Sequence, residues 1–172
     1  MLEQFFPDLI LNEISEIDAA TLWQKGYRLL IFDIDNTLVA YHEKDATEKA
    51  SAFIRFLQEK GFHAALVSNN NRERVERFNK ELKLFSVPRA MKPFKRGMKK
   101  VMEHFGVPPE KTVLCGDQIL TDILGGNRLG LYTILVTPIE INENRFFRIK
   151  RRMEAYILAK MKERDQSTNE SN

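Results

Sequence analysis

Arg28-Leu-Leu-Ile-Phe-Asp-Ile-Asp-Asn-Thr37 is the stretch that decides the fold. Residues 28–32 are typical of a buried β-strand, and two aspartates follow closely. Because strand side chains alternate between two sides, Asp33 and Asp35 are predicted to point into the same crevice. Neighbouring carboxylates repel each other, so we expect a cation beside them, and oxygen ligands without histidine or cysteine favour magnesium over zinc. Taken alone, the Asp-x-Asp pattern is also compatible with a turn whose aspartates cap a helix.

Apolar runs of similar length recur along the chain. They predict strands at residues 63–67, 112–115 and 131–136, and a weaker strand at 84–87. Between the strands, apolar residues at helical spacing predict three helices. These residues are Ala50, Phe53, Ile54 and Leu57, then Val75, Phe78 and Leu82, then Met98, Val101, Met102 and Phe105. The alternation predicts the α/β class, with a three-layer, doubly wound parallel sheet and a site beyond the carboxyl ends of its strands.

Polar residues follow the runs that end at residues 67 and 87. Ser68 and Asn69 can present side-chain and main-chain donors to an anion, although a plain helix cap explains them equally well. Pro93 suits the first turn of a helix, which places Lys92 just outside the amino end of that helix. The helix dipole disfavours a cation there, so anion binding is the more natural role for Lys92.

A second pair of acids follows the run that ends at Cys115. Gly116 and Asp117 come directly after it, and Asp122 follows about one helical turn later. Since the carboxyl ends of parallel strands meet at one edge of a sheet, this pair predicts a metal site shared with Asp33. Cys115 is the only cysteine and is predicted to be a small buried core residue.

These strand-end residues resemble the motifs of the haloacid dehalogenase (HAD) superfamily of phosphotransferases. Asp33-Ile-Asp-Asn-Thr37 resembles the first motif, Ser68 the second, Lys92 the third, and residues 116–122 the fourth. The resemblance spans residues 28–136. It implies a HAD-like Rossmannoid fold with the strand before Asp33 near the centre of the sheet, and it implies that the chain is a phosphatase, a phosphoric monoester hydrolase.

The resemblance also implies a role for each residue. Asp33 is the expected nucleophile, Asp35 the expected acid and base, and Lys92 completes the catalytic set. Mg²⁺ is expected to bind the Asp33 carboxylate, the Asp35 main-chain carbonyl and Asp117. The expected substrate-binding residues are Thr37, Ser68, Asn69 and Lys92, and the expected supporting residues are Gly116 and Asp122.

The motif spacing leaves no room for a cap domain over the site. Only 30 residues separate Thr37 from Ser68, and one helix and one strand use most of them. The layout is similar to the capless subclass III, YqeG-type branch, related to phosphatidylglycerophosphate phosphatases, which implies that substrate and a role in phospholipid synthesis. One alternative is a soluble phosphatase for nucleotide, sugar or protein phosphates. Another is a regulatory or RNA-binding protein with a vestigial site, although no RNA-binding motif supports a nucleic-acid partner.

Charge is distributed unevenly along the 172 residues, whose net charge is +3. Residues 72–100 carry a net charge of +8 and residues 145–164 one of +6, which favours anionic partners. A single domain at 1–144 is predicted to be followed by a basic amphipathic helix at 145–164 and a disordered tail at 165–172. The apolar face of this helix suits either an anionic phospholipid surface or the domain itself.

Nothing in the sequence predicts a membrane span or export. No apolar run approaches the roughly 20 residues that cross a bilayer, so no transmembrane segment is expected, and the first residues lack the features of a signal peptide. We therefore expect a cytoplasmic protein, peripheral at the inner face of the membrane if its basic helix binds lipid.

Overall fold

The computed structural model describes residues 2–140 and 145–169, with the side chains of all of these except 145–151, 165 and 167–169. In this part of the chain, six parallel strands form one sheet. They are β1 (Leu9–Leu11), β2 (Leu29–Phe32), β3 (His63–Val67), β4 (Phe85–Val87), β5 (Thr112–Gly116) and β6 (Tyr132–Val136). Their order across the sheet is β1-β6-β5-β2-β3-β4, which puts β2 in the interior of the sheet.

Helices occupy the connections between the strands. They are α1 (Ala19–Gln24), α2 (Glu48–Glu59), α3 (Arg72–Asn79), α4 (Arg96–Phe105), α5 (Leu124–Asn127) and α6 (Arg145–Asn169). A π-helical turn, Ile119–Ile123, precedes α5, and shorter helical turns lie at Glu3–Phe5, Ile14–Glu16 and Pro109–Lys111.

Strand β2 packs against a helical layer on each side of the sheet. Its four residues are fully buried. Leu30 and Phe32 pack in a core with α2 and α3, whereas Leu29 and Ile31 pack with α4 in a second core on the opposite face. This arrangement confirms the predicted α/β class and the three-layer, doubly wound parallel sheet.

The register of the sheet brings the strand ends level with one another. Phe32 lies opposite Cys115 of β5 and Leu66 of β3. The carboxyl end of β3 therefore lies at the same edge of the sheet as Asp33 and Gly116. Cys115 itself is fully buried, as predicted, and burial raises the pKa of its thiol well above the ordinary value.

The connections that could hold a cap are short. The chain forms one helix, α2, between β2 and β3, and one helix, α3, between β3 and β4. All residues of these two connections are described, and neither contains a further domain. The site is therefore uncapped, as the motif spacing predicts.

The sequence pattern does not predict β1 or α1. β1 has three residues and pairs only with β6 among the described strands, so it is too short for a periodic signal. α1 has six residues, and its start is fixed by the Asp18 carboxylate, which accepts the Thr21 N–H at 3.0 Å.

The predicted helix start at Pro93 is wrong. Helix α4 begins at Arg96, and Pro93 lies in a turn in which the Phe94 N–H donates to the Met91 carbonyl at 2.9 Å. Lys92 is therefore not at the amino end of a helix, and the helix-dipole argument for its role does not apply.

Helix α6 packs on the domain through its middle. Ile157 is 5% exposed and contacts a cluster of buried residues, Ile119, Ile123 and Leu135. The Glu154 carboxylate accepts the main-chain N–H of Ile119 at 3.0 Å. The sequence allows α6 to contact either a phospholipid surface or the domain. Its middle part packs on the domain.

The bounds and the face of α6 differ from those predicted. The helix continues to Asn169, whereas the sequence analysis ends it at residue 164 and expects disorder at 165–172; no proline or glycine interrupts residues 165–169. The sequence spacing puts Met153 on the apolar face of this helix together with residues 146, 149, 157 and 161, and Met153 is 50% exposed. The described residues do not include 170–172, the expected boundary at 144, or the side chains of residues 146 and 149. Within the described chain, no helix is both long enough and apolar enough to cross a bilayer.

Candidate active site

Three aspartates converge at the carboxyl edge of the sheet. Asp33 follows β2, Asp117 follows β5, and Asp122 lies in the π-helical turn beyond β5. Each offers a carboxylate oxygen, and these atoms all lie within 4.8 Å of one another. Asp33 and Asp117 are each 6% exposed, and Asp122 is fully buried. The structure therefore brings together acids from the two strand ends that the sequence singles out.

Lys92 lies among these carboxylates. Its Nζ atom is 2.7 Å from Asp33 Oδ1 and 2.6 Å from Asp122 Oδ1, and its side chain is 2% exposed. Burial by itself would lower the pKa of this lysine, but the Asp122 and Asp33 carboxylates outweigh burial and hold the pKa above its ordinary value. Lys92 is thus a fixed positive charge inside an acidic site.

Asp33 titrates at a higher pH than an exposed aspartate. Burial raises its pKa from the ordinary 3.8 to about 6; the Lys92 ammonium group opposes this rise, and the charge of Asp122 adds to it. Burial is thus the main cause of the raised pKa of Asp33, and repulsion from the Asp122 carboxylate adds to it.

Asn69 has a role that the sequence does not predict. Its Oδ1 atom accepts the main-chain N–H of Lys92 at 2.6 Å, and its Nδ2 atom donates to the Lys92 carbonyl at 3.1 Å. The side chain predicted to bind substrate is engaged by the peptide groups of Lys92. Substrate binding by Asn69 stays a prediction, and its contacts with the Lys92 main chain add a second role, which is to position the lysine.

Ser68 and Thr37 are both 2% exposed. The Ser68 hydroxyl oxygen accepts the Asn70 N–H at 3.1 Å, which leaves the hydroxyl hydrogen to donate elsewhere. The Thr37 hydroxyl has no hydrogen-bond partner among the described residues. Substrate binding stays a prediction for both.

Asp35 has different partners from Asp33. Its Oδ1 atom accepts hydrogen bonds from Arg74 Nη2 at 2.8 Å and Nε at 3.2 Å, and its Oδ2 atom accepts one from Asn70 Nδ2 at 3.1 Å. Arg74 also donates to the main-chain carbonyls of Glu43 and Lys44. The carboxylate of Asp35 is therefore held in one orientation beside the acidic cluster rather than within it.

Gly116 makes room for Asp122. A Cβ atom at position 116 would lie 2.3 Å from Asp122 Cγ and 2.5 Å from Asp122 Oδ2, so only glycine allows this approach. Asp122 Oδ2 in turn accepts the Gln118 N–H at 3.2 Å. The other oxygen of Asp122 binds Lys92, and the supporting role of Asp122 and Gly116 stays a prediction.

The composition of the cluster fits a hard divalent cation. Asp33, Asp117 and Asp122 face one ammonium group, so these four side chains carry an excess of negative charge in a buried site. Such an excess is costly unless a cation offsets it. The potential ligands are carboxylate oxygens, without histidine or thiolate, which suits Mg²⁺.

Comparison with known proteins identifies the family. The model for haloacid dehalogenase-like hydrolases matches residues 40–130. The protein named "Probable phosphatase YqeG" of Bacillus subtilis is 35% identical over 163 residues, which cover 94% of this chain and 95% of that protein. This chain belongs to the haloacid dehalogenase-like hydrolase family. It is an enzyme, a HAD-family phosphatase.

Other HAD-like proteins share part of the sequence or the fold. Phosphatidylglycerophosphate phosphatase 1 of Arabidopsis thaliana is 27% identical over 168 residues, covering 88% of this chain, which spans only 47% of that protein's length. The structure of a HAD subfamily III A hydrolase from Legionella pneumophila superposes with a TM-score of 0.56 at 16% identity, over 73% of this chain and 75% of that one. The second likeness confirms the HAD-like Rossmannoid fold.

The HAD motifs include most residues of the site. They do not indicate that Arg74 binds the Asp35 carboxylate or that Asn69 binds the main chain of Lys92. Arg74 gives no signal in the sequence, because it is one of 27 basic residues and lies on a charged helix. The role of Asn69 was equally hidden, since its partner is the main chain of a residue 23 positions away. Neither contact has a residue-spacing pattern that could reveal it.

Proposed function

We propose that this HAD phosphatase is a magnesium-dependent phosphomonoester hydrolase that forms a phospho-aspartate on Asp33, and that its substrate is phosphatidylglycerophosphate. The observation that carries the proposal is the position of the Asp33 carboxylate, 2.7 Å from the Lys92 ammonium group and within 4.8 Å of oxygens of Asp117 and Asp122. A carboxylate in this position has a positive charge for the phosphoryl group and potential metal ligands beside it, which supports a role as the nucleophile.

In the first step, a carboxylate oxygen of Asp33 forms a bond to phosphorus while the bond from phosphorus to the substrate alcohol oxygen breaks. Asp35 donates a proton to the leaving oxygen. In the second step, water attacks phosphorus, Asp35 accepts a proton from it, and the bond to Asp33 breaks to release phosphate. Lys92 offsets negative charge on the phosphoryl oxygens, and the Ser68 hydroxyl can donate to one of them.

Mg²⁺ would be held by the carboxylates of Asp33 and Asp117 and by the main-chain carbonyl of Asp35. When bound, it neutralises negative charge at the nucleophile and at the phosphoryl group. Asp122 is assigned a supporting role, because one of its oxygens binds Lys92 and the other accepts a main-chain N–H.

Asp35 acts as acid and base only if its carboxyl group keeps one orientation. Arg74 and Asn70 provide this, since both of its oxygens accept hydrogen bonds from them. Arg74 is itself anchored by the main chain of residues 43 and 44, in the loop that follows the motif of Asp35. We assign Arg74 as the positioning residue of the acid and base.

Two features support a lipid phosphate as substrate. The site has no cap, and an open site accepts a substrate that is presented at a surface. The relative from Arabidopsis thaliana is named for phosphatidylglycerophosphate. We place the enzyme in the cytoplasm, with peripheral contact to anionic phospholipid at the inner face of the membrane and a role in phospholipid synthesis.

Phosphate release by the wild-type enzyme and by Asp33→Asn tests the proposal. The substrates are phosphatidylglycerophosphate and a panel of soluble nucleotide, sugar and protein phosphates. We expect Asp33→Asn to lower turnover of every ester to background while the variant still folds. EDTA should remove wild-type activity and Mg²⁺ should restore it. Asp45→Asn is the matched control, because Asp45 is an exposed aspartate in the same connection and pairs with Arg77.

Two results would contradict different parts of the proposal. Wild-type turnover in Asp33→Asn would remove the nucleophile assignment. Much faster hydrolysis of a soluble ester than of the lipid phosphate would remove the substrate and leave the chemistry in place.

A further inference from the structure

The segment between β4 and α4 surrounds the buried Lys92 with exposed side chains. We call the four exposed residues of this segment and the first residue of α4 the β4–α4 rim: Arg89, Met91, Phe94, Lys95 and Arg96. Met91 is 65% exposed and Phe94 is 64% exposed, which makes them the two most exposed large hydrophobic residues of the described chain. Single exposed apolar side chains are ordinary, but two beside an active-site lysine form a local apolar surface.

The backbone holds these side chains outward. Arg89 and Met91 adopt positive φ angles of 49° and 56°, which are uncommon for residues other than glycine. The Arg89 N–H donates to the Asn70 carbonyl at 2.8 Å, and the Ala90 N–H donates to the Ser68 carbonyl at 2.9 Å. The rim is therefore fixed to the end of β3, next to the site, in a conformation that needs compensation from its surroundings.

The rim is also basic, and its cations have no acidic partners among the described residues. No acidic residue lies between Glu81 and Glu103, and none of the three rim cations forms an ion pair with another described residue. The arginines of α3 differ in this respect, since Arg74 and Arg77 pair with Asp35 and Asp45. The basic block that the sequence shows at 72–100 thus contains arginines of α3 that pair with acids and rim cations that do not.

Exposed apolar side chains flanked by unpaired cations match the chemistry of an anionic lipid surface. We propose that the β4–α4 rim docks on an anionic bilayer, with Met91 and Phe94 entering the interface and Arg89, Lys95 and Arg96 contacting the headgroups. The inference deepens the proposed function, because docking there brings the edge of the sheet that carries Asp33 and Lys92 to phosphates at the membrane surface. It assigns membrane contact to the rim rather than to the apolar face of α6, whose Ile157 is buried on the domain.

Co-sedimentation with vesicles tests the docking without any catalytic readout. Full-length enzyme is mixed with phosphatidylglycerol-containing vesicles and with pure phosphatidylcholine vesicles, at low and at high salt. We expect binding to the anionic vesicles only, weakened by salt. The double variant Met91→Asn/Phe94→Ser should bind about tenfold or more weakly. Asparagine is chosen because it tolerates the left-handed backbone at position 91.

Phe56→Ser is the matched control. Phe56 is 42% exposed on α2 and has the ammonium group of Lys60 at 5.6 Å from its ring, so it combines an apolar and a basic side chain away from the rim. We expect this variant to bind vesicles like the wild-type enzyme. Thermal unfolding of each variant checks that the fold is retained.

Activity assays separate the docking proposal from the substrate proposal. Hydrolysis of soluble p-nitrophenyl phosphate by the double rim variant should stay within about twofold of wild type, while hydrolysis of vesicle-borne phosphatidylglycerophosphate should fall about tenfold. If the wild-type enzyme fails to bind anionic vesicles, or if the rim variant binds them equally well, the docking proposal is overturned. If binding depends on the rim but lipid phosphate is not hydrolysed, docking is supported and the substrate assignment is lost.

Discussion

The peptide groups of Lys92 lie against the side-chain amide of Asn69, which accepts the Lys92 N–H at 2.6 Å and donates to the Lys92 carbonyl at 3.1 Å. The lysine ammonium group is fixed at its other end by Asp33 and Asp122. A long, flexible side chain is thus restrained at both its base and its tip. This restraint lowers the entropy that a lysine would otherwise lose on binding a phosphoryl group.

Asn69→Ala should therefore reduce both stability and catalysis. Removing the amide leaves part-buried main-chain groups of Lys92 without partners, which costs roughly 1–3 kcal/mol of unfolding free energy. We expect kcat to fall by about tenfold or more, because about 1.4 kcal/mol of lost positioning corresponds to tenfold in rate. Urea unfolding and phosphate-release kinetics measure the two effects.

Asn79→Ala is a closely matched control for this variant. The Asn79 side chain brackets the peptide of Leu84 in the same way, accepting its N–H at 2.8 Å and donating to its carbonyl at 2.7 Å, away from the acidic cluster. It should lose a similar amount of stability and keep the kcat of the wild-type enzyme. Equal losses of kcat in the two variants would show that Asn69 has a general structural role only.

Residues after strand ends were predictable to different degrees. Asp33, Asp117 and Lys92 could be placed in one site because parallel strands bring their carboxyl ends together, whatever the details of each loop. Arg74 and the positioning role of Asn69 could not, because each depends on a side chain meeting a loop whose path the sequence does not specify. The sequence thus predicts which groups converge better than it predicts what holds them.

The π-helical turn Ile119–Ile123 places Asp122 directly against the end of β5. A Cβ atom at Gly116 would meet the Asp122 carboxyl carbon at 2.3 Å, far inside van der Waals contact. Gly116→Ala should therefore displace Asp122 and, through it, the Lys92 ammonium group. We expect activity to fall by at least about tenfold, and overpacking of this kind also costs about 1–3 kcal/mol of stability.

Gly126→Ala distinguishes a local effect on the site from general overpacking. A Cβ atom there would lie 2.6 Å from Thr133 Cγ2 and 3.0 Å from Leu114 Cδ2, within the core and not against an acid of the cluster. It should lose stability while the folded fraction retains activity per molecule. If Gly116→Ala kept full activity, the close packing of Asp122 would not matter for catalysis.

The sequence predicts long, buried strands and helices better than short or exposed ones. β2 and β3 were predicted because continuous apolar runs mark strands that are covered on both faces. The start of α4 was misplaced because Pro93 is compatible with a helix start but also with the turn that it adopts. The middle of α6 packs on the domain through Ile157, which belongs to one buried cluster with Ile119 and Leu135.

For the whole molecule, we expect the buried charges to make stability depend on a bound cation. Three aspartates and one lysine occupy the centre of the carboxyl edge, and each is at most 6% exposed. Like charges that are held this close oppose folding unless something neutralises them. Binding of Mg²⁺ to the folded chain would shift the folding equilibrium, because the unfolded chain has no preformed site.

Magnesium should therefore raise the melting temperature. At about 100 times the dissociation constant the stabilisation is ~2.7 kcal/mol, which corresponds to roughly 5–10 °C for a domain of this size. Differential scanning fluorimetry with EDTA and with a Mg²⁺ titration measures this. Asp117→Asn should lose most of the response, whereas Asp45→Asn, at an exposed aspartate paired with Arg77, should keep it.

The response to magnesium should also depend on pH. Since the pKa of Asp33 is raised from 3.8 to about 6, protonation of this carboxyl stabilises the metal-free fold below pH 3.8, and this contribution is lost as the pH rises through about 6. A metal ligand must be deprotonated, so protons compete with Mg²⁺ in the same range. The increase in melting temperature should be largest above about pH 7 and should shrink as the pH falls through 6. An increase that is constant from pH 8 to about 5, or equal in Asp117→Asn, would show that the cation binds elsewhere.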